Sequence, residues 1–120
     1  MGLDIKYKQA VKYMEGKGIA FKPEKPDHVN CRYRIMESDT SIFVKRNGYK
    51  INACDEDYTR LTGELGLDSQ VNYTSKKDKT VDKVRPHSFE IDDSMFEKAV
   101  DVLLKNPKNY NPVPATKFET

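Results

Sequence analysis

Residues 31–53 decide the fold, and they read CRYRIMESDTSIFVKRNGYKINA. Apolar and polar side chains alternate along much of this stretch, which is typical of β-strands that bury one face. Asn47-Gly48 interrupts the alternation, and this pair readily adopts the two positive φ angles of a two-residue type I′ turn. Ser38-Asp39 marks an earlier turn. The stretch therefore predicts a three-stranded antiparallel meander.

The two predicted turns set the pairing of the strands. Counting outward from the second turn places Val44 opposite Ile51. It also places Lys45 opposite Lys50, a like-charge pair that destabilises a sheet unless an anion relieves it. Counting outward from the first turn places Arg32 opposite Lys45, so the same strand pairs consistently on both of its sides.

The two faces of the predicted sheet differ in character, because successive side chains of a strand point to opposite sides. The apolar face collects Cys31, Tyr33, Ile35, Ile42, Val44, Ile51 and Ala53. The other face collects Arg32, Arg34, Phe43, Lys45, Lys50 and Asn52. The meander therefore has one face for a core and one cationic face.

Helices flank the meander on both sides in the sequence. The first is predicted over residues 5–15, where apolar residues recur at helical spacing. The second is capped by Asp55 and ends at Gly66. The third follows a capping box at residues 94–97 and continues to about Lys105. These elements predict an α+β fold with the N-terminal helix, the meander, and two further helices on one face of the sheet.

The predicted domain spans residues 1–105, and the proline-rich residues 106–120 form a predicted tail. Residues 69–88 contain a basic cluster, and a structureless stretch of this length is unusual inside a domain. We therefore predict a poorly ordered hairpin from residues 70–74 and 80–84.

Composition narrows the function only slightly. The 120 residues carry 21 Lys and Arg against 19 Asp and Glu, and the net charge of +2 does not by itself indicate a nucleic acid or membrane partner. No apolar run approaches a membrane span and no signal peptide is visible, so we expect a cytoplasmic protein without membrane association. Cys31 and Cys54 lack metal-binding or redox spacing, and we expect both to remain reduced.

Residues that could carry catalysis have simpler explanations. His28 and His87 are the only histidines, and neither lies in a recognisable catalytic motif. The acidic residues 55–57 and 92–93 lie at predicted helix N-termini, where each negative charge stabilises the helix by about 0.3–1 kcal/mol. We find no zinc spacing, phosphate loop or nucleophile motif. The sequence favours a protein that is not an enzyme and uses no cofactor.

The cationic face and the basic cluster supply the candidate binding residues. They are Arg32, Arg34, Phe43, Lys45, Lys50, Asn52, Lys76 and Lys77. Charge is segregated along the chain, since residues 28–54 are mainly basic and residues 55–68 mainly acidic. Such a surface suits a protein partner with a complementary charge pattern.

The leading prediction is a small protein that binds another protein, as an inhibitor, adaptor or immunity-type factor. Its size would suit carriage by a phage or another mobile element. The alternative is nucleic acid binding through Arg32, Arg34, Lys45 and Lys50, with the ring of Phe43 stacking on bases. A solvated outer face that binds nothing explains the same residues equally well.

Overall fold

The computed structural model describes residues 3–17 and 32–109, without the side chains of Asp4 and residues 32–37. Its helices are α1 (Leu3–Gly16), α2 (Asp55–Leu65) and α3 (Phe96–Leu103). Its strands are β1 (Arg32–Glu37), β2 (Ser41–Lys45), β3 (Tyr49–Ala53), β4 (Gln70–Val71), β5 (Tyr73–Ser75), β6 (Thr80–Val81) and β7 (His87–Ile91). Short 3₁₀ helices span Asp93–Met95 and Pro107–Asn109. The predicted α+β class is confirmed.

The main sheet has five strands in the order β1-β2-β3-β7-β4, and every neighbouring pair is antiparallel. The predicted meander supplies the first three of these strands. The sequence analysis missed β7, although Phe89 and Ile91 alternate there with polar residues. β7 pairs with the whole of β3, so that Ile51 lies opposite Phe89. Strands β5 and β6 form a separate two-stranded sheet.

The register agrees with the prediction in the first strand pair and differs in the second. β1 pairs with β2 as predicted from Arg32 to Arg34, after which a bulge shifts the register. Between β2 and β3, Val44 lies opposite Tyr49 and not opposite Ile51. Because side chains alternate with a period of two, this two-residue shift leaves each described side chain of β2 and β3 on its predicted face.

The turn between β2 and β3 accounts for the shift. Only Gly48 of the predicted turn pair has a positive φ, 82°, so the predicted type I′ turn is wrong. The Lys45 N–H donates to the Gly48 carbonyl at 3.2 Å, and the Gly48 N–H donates to Asp93 at 2.9 Å. A Cβ atom on Gly48 would lie 2.2 Å from the carbonyl oxygen of Ile91, so glycine is required here.

The core lies between one face of the main sheet and all three helices. The sheet contributes Ile42, Val44, Tyr49, Ile51, Ala53, Phe89 and Ile91. The helices contribute Ala10, Val11, Met14, Leu61, Phe96, Ala99, Val100, Val102 and Leu103. All of these residues are buried in a single cluster, so the helices cover one face of the sheet, as the sequence predicts.

The helix ends differ from the predicted ones in two places. Cys54 occupies the N-cap position of α2 without a side-chain cap bond, and Asp55 is the first helical residue, so the Asp55 cap is wrong. Before α3, the capping side chain is Asp92 and not Ser94, because Asp92 accepts a backbone hydrogen bond of 3.2 Å. Gly66 ends α2 in the left-handed conformation, as predicted.

The folded chain continues past residue 105, where we placed the end of the domain. Asn106 and Asn109 are only 1% and 2% exposed, and Asn109 is the last residue of the second 3₁₀ helix. The predicted tail therefore does not begin at Asn106. Residues 110–120 lie outside the described residues.

Candidate binding surface

The predicted hairpin of residues 70–74 and 80–84 forms only in its outer part, because the strands of this stretch belong to two different sheets. β4 pairs with β7 in the main sheet, whereas β5 pairs with β6. Asn72 lies between β4 and β5 in the chain. Its N–H donates to the Pro86 carbonyl, and its carbonyl accepts from the Asp82 N–H, both at 2.9 Å. Its side-chain amide donates to the Arg85 carbonyl at 2.7 Å. Asn72 thereby anchors the outer hairpin, which consists of β5, β6 and the turn between them, to the main sheet.

The outer hairpin carries exposed apolar side chains. Tyr73 and Val81 lie directly opposite each other and are 37% and 40% exposed, while Val71 is 51% exposed. Of the five exposed large hydrophobic residues in the described ranges, four lie between residues 71 and 84, and the fifth is Ile5 on α1. Exposed apolar side chains that gather in one place mark interaction sites, whereas single scattered ones do not.

Lysines surround these apolar side chains. Lys76 and Lys79 line an open depression of about 550 Å³ together with Val71 and Tyr73. We define the hairpin surface as Val71, Tyr73, Lys76, Lys79 and Val81. The turn also carries Lys77, a predicted binding residue, which is exposed. The hairpin surface thus combines apolar side chains with positive charge.

A cleft of about 420 Å³ lies beside the hairpin surface, and the outer face of the main sheet contributes to it. Lys50 and Lys76 both line this cleft, so the structure brings together two of the predicted binding residues. Asp68 and Glu90 line it as well, which makes its charge mixed. The cleft and the depression share five lining residues, Ser69, Gln70, Val71, Tyr73 and Lys76, so the two adjoin and form one continuous surface.

The outer face of the main sheet is not the uninterrupted cationic face that we predicted. The predicted pairing of Lys45 with Lys50 is wrong, because Lys50 lies opposite Phe43 in β2 and opposite Glu90 in β7. The ammonium of Lys45 lies 2.7 Å from a carboxylate oxygen of Glu90. A carboxylate from the strand that the sequence analysis missed therefore stands among the cations of this face.

Two of the remaining predicted residues of this face, Phe43 and Asn52, contribute less to an exposed surface than expected. Phe43 is 7% exposed, so little of its ring is available for stacking. Asn52 is partly buried, and its Oδ1 atom has no hydrogen-bond partner among the described residues. Arg32 and Arg34 lie on β1 at the edge of the sheet, and their side chains lie outside the description. Among the described side chains, the cleft brings Lys50 and Lys76 together, and the predicted site as a whole stays a prediction.

A buried polar network was missed in the sequence analysis. Asp57 is fully buried, and its carboxylate accepts hydrogen bonds from the hydroxyl of Thr40 and from the side-chain amides of Asn106 at 3.1 Å and Asn109 at 2.8 Å. Its place in the first turn of α2 indicated only an exposed helix-capping charge. The network joins the β1–β2 turn, α2 and the last described residues.

A second buried charge, Lys6, joins α1 to the β2–β3 turn. Its ammonium donates to the carbonyls of Lys45 at 2.8 Å and Gly48 at 3.0 Å, and it lies 2.5 Å from Asp93. It also lies 4.3 Å from the ring centre of Tyr49. The hydrogen bond from Lys6 lowers the pKa of the Asp93 carboxyl, and burial raises the pKa of Tyr49 to about 12. Protein groups occupy the Lys6 donors, which indicates a structural role.

The histidine and cysteine of the described residues have structural contacts. The Nε2 atom of His87 lies 2.7 Å from Asp55, and its ring stacks on Tyr58 with centres 3.8 Å apart. Burial raises the pKa of the Cys54 thiol, which keeps the thiol protonated and weakly nucleophilic. Cys54 is a free thiol in the structure. Cys31 lies outside the described residues, so the absence of a disulfide between Cys31 and Cys54 stays a prediction.

Other indications of function are few. Among residues 3–17 and 32–109, no group of three His, Cys, Asp or Glu side chains converges to hold a metal ion, and no helix is long and apolar enough to cross a membrane. His28 lies outside these residues. The chain matches no protein-family model, no curated protein and no solved structure. The hairpin surface and its cleft are thus the features from which a function can be argued.

Proposed function

We propose that this protein is a small non-enzymatic binding protein that engages another protein through the hairpin surface. The observation that carries this proposal is the concentration of exposed apolar side chains between residues 71 and 84, since Ile5 is the one other exposed large apolar residue among the described residues. Burial of such side chains against a partner is the main favourable contribution to protein association. An inhibitor, an adaptor and an immunity-type factor all act in this way.

The anchoring of the hairpin supports this role. Asn72 holds the base of the hairpin by donating two hydrogen bonds and accepting one, and the Arg85 side chain donates to the carbonyl of Ser38 in the β1–β2 turn. Tyrosine is also well suited to such a surface, because it combines a large rigid ring with a polar tip. A surface that is already ordered loses less conformational entropy on binding than a flexible one.

Nucleic acid binding through the sheet face has weaker support. Glu90 lies 2.7 Å from Lys45 and opposite Lys50, so phosphates approaching these two lysines would meet a carboxylate. Such a contact costs binding energy because like charges are then brought together. We therefore treat nucleic acid binding as the outcome that the experiment must exclude.

Affinity capture from a nuclease-treated lysate of the cells that produce the protein tests the proposal. We expect the wild type to retain a protein partner and the double variant Tyr73→Ser, Val81→Ser to lose it. Ile5→Ser is the matched control, because Ile5 is equally apolar and 54% exposed but lies on α1. Retention that is abolished by nuclease, or that is the same in all three proteins, would contradict the proposal.

A further inference from the structure

We infer, on the basis of the proposed function, that the hairpin surface recognises an extended protein segment that carries acidic residues beside apolar ones. The charge of the hairpin is the first observation. Its lysines are Lys76, Lys77, Lys79 and Lys83. Within residues 3–17 and 32–109, none of these lysines lies within 4 Å of a carboxylate oxygen. No described carboxylate therefore pairs with these lysines, and their positive charge is complementary to an acidic partner.

The acidic residues of the same hairpin form no ion pair with its lysines, and their carboxylates accept hydrogen bonds from neutral groups of the hairpin. One carboxylate oxygen of Asp82 accepts from the N–H groups of Val84 and Arg85, both at 2.9 Å. The carboxylate of Asp78 accepts from the hydroxyl of Ser75 at 3.3 Å. These two carboxylates shape the turns of the hairpin, and its lysines retain the exposed charge.

The apolar and charged groups lie close enough to be contacted by one short segment. Lys76 and Lys79 border the same depression as Val71 and Tyr73. An apolar side chain placed against Tyr73 would bring the carboxylates of neighbouring residues beside the lysines. This arrangement favours a segment in which acidic and apolar residues are close in sequence, since burial supplies affinity and charge complementarity supplies orientation.

The shape of the surface favours an extended segment. The depression and the cleft are continuous through shared lining residues from Ser69 to Lys76. Ser88 and Gln70 line the cleft and offer polar groups to a peptide backbone. Asp68 and Glu90, which also line the cleft, would repel a chain of phosphates that ran its whole length. A protein segment can place an acidic residue beside the lysines and a neutral or basic one beside Asp68 and Glu90.

Selection of peptides from a displayed random library on the full chain tests the inference. We expect selected peptides to be enriched in Asp and Glu next to Leu, Ile, Val or Phe. Their affinity, measured by fluorescence anisotropy, should fall about tenfold or more in Tyr73→Ser, because a buried tyrosine anchor is typically worth at least one factor of ten. Their affinity should also weaken as salt is raised, because salt screens exposed charges.

Charge-removing variants separate electrostatic recognition from apolar contact. We expect the pair Lys76→Gln, Lys79→Asn to weaken binding of the acidic peptides several-fold. Asparagine is chosen because Lys79 has a left-handed φ of 54°, which asparagine tolerates. Lys98→Gln on α3 is the matched control, since Lys98 is exposed and lines neither the depression nor the cleft, and it should leave affinity unchanged.

The outcomes distinguish this inference from the proposed function. If capture of a protein from lysate depends on Tyr73 but the selected peptides are neutral or basic, or bind the lysine variant equally well, the acidic-segment inference is overturned and the proposed function stands. If no peptide is enriched, the inference is likewise overturned. Tighter binding of single-stranded DNA, or of phosphatidylcholine vesicles containing phosphatidylserine, than of any selected peptide would overturn it in favour of another polyanion. If capture does not depend on Tyr73, both fail.

Discussion

Replacing Asp57 with Asn should destabilise the protein more than any other substitution of one acidic residue by its amide in α2. The wild-type carboxylate has only acceptor atoms, and it receives hydrogen bonds from Thr40, Asn106 and Asn109. The amide side chain of the variant would carry an NH₂ group in place of one of these oxygens. At least one of the donors would then face another donor in a fully buried site.

The expected loss follows from the number of bonds affected. A hydrogen bond to a charged group contributes about 1.5–3 kcal/mol, and a buried donor left without a partner costs a further 1–3 kcal/mol or so. Relief from burying a negative charge offsets part of this loss. We therefore expect the free energy of unfolding to fall by about 2–5 kcal/mol, a large share of the roughly 5–15 kcal/mol that stabilises a typical domain.

Urea titration of the wild type and the variant measures the loss. Glu56→Gln is the matched control, since it makes the same chemical change on the preceding residue. Its side chain is 51% exposed and 3.7 Å from Arg60, so we expect a loss below about 1 kcal/mol. A loss in Asp57→Asn no larger than that of the control would refute the reasoning that the buried network stabilises the fold.

Three further substitutions test other parts of the structure. Gly48→Ala should lower the free energy of unfolding by more than about 2 kcal/mol in urea titration, because Gly48 has a positive φ and the added Cβ would meet a backbone carbonyl of β7. A loss below about 0.5 kcal/mol would contradict the conformation of Gly48 in the β2–β3 turn. Lys6→Met should remove a pH-dependent part of stability. Lys6 holds the pKa of Asp93 below its ordinary 3.8 in the folded state, so this contribution is present above that value and lost as the pH falls through the folded-state pKa. The stability gap between wild type and variant, measured across this acidic range, should narrow as the pH falls, and a gap that stays constant would show that the pair does not contribute. Lys50→Glu should destabilise the protein by a few tenths of a kcal/mol, because it places a carboxylate opposite Glu90. The register predicted from the sequence implied a neutral or slightly stabilising effect instead, and thermal melting of wild type and variant distinguishes these two outcomes.

The fold class and the faces of the sheet followed from the sequence because they depend on local periodicity. The alternation from Ile42 to Ala53 assigned buried positions that remain buried even though the strand register changed by two residues. The predicted register of β2 and β3 is wrong at Gly48, whose conformation depends on a hydrogen bond that its N–H donates to Asp93 and on the close approach of Ile91. Contacts between residues so distant in sequence leave no local pattern.

The candidate binding surface was predicted only in part. The lysines of residues 76–83 were visible as a basic cluster, but the exposure of Tyr73 and Val81 depends on the hairpin turning away from the main sheet at Asn72. The missing strand β7 had a readable signal, the alternation of Ser88, Phe89, Glu90 and Ile91. Without it, the carboxylate of Glu90 was absent from the predicted cationic face.

The network around Asp57 has a consequence for how the protein is made. Its bonds link residues 49 and 52 positions apart, from α2 to the last described turn. During synthesis the chain emerges from the ribosome from its N-terminus, so the meander and α2 are available long before Asn106 and Asn109. Until those two residues have emerged, the carboxylate of Asp57 cannot receive its amide hydrogen bonds. Completion of the native fold should therefore wait until residue 109 is outside the ribosome, and chains arrested earlier should remain sensitive to proteases.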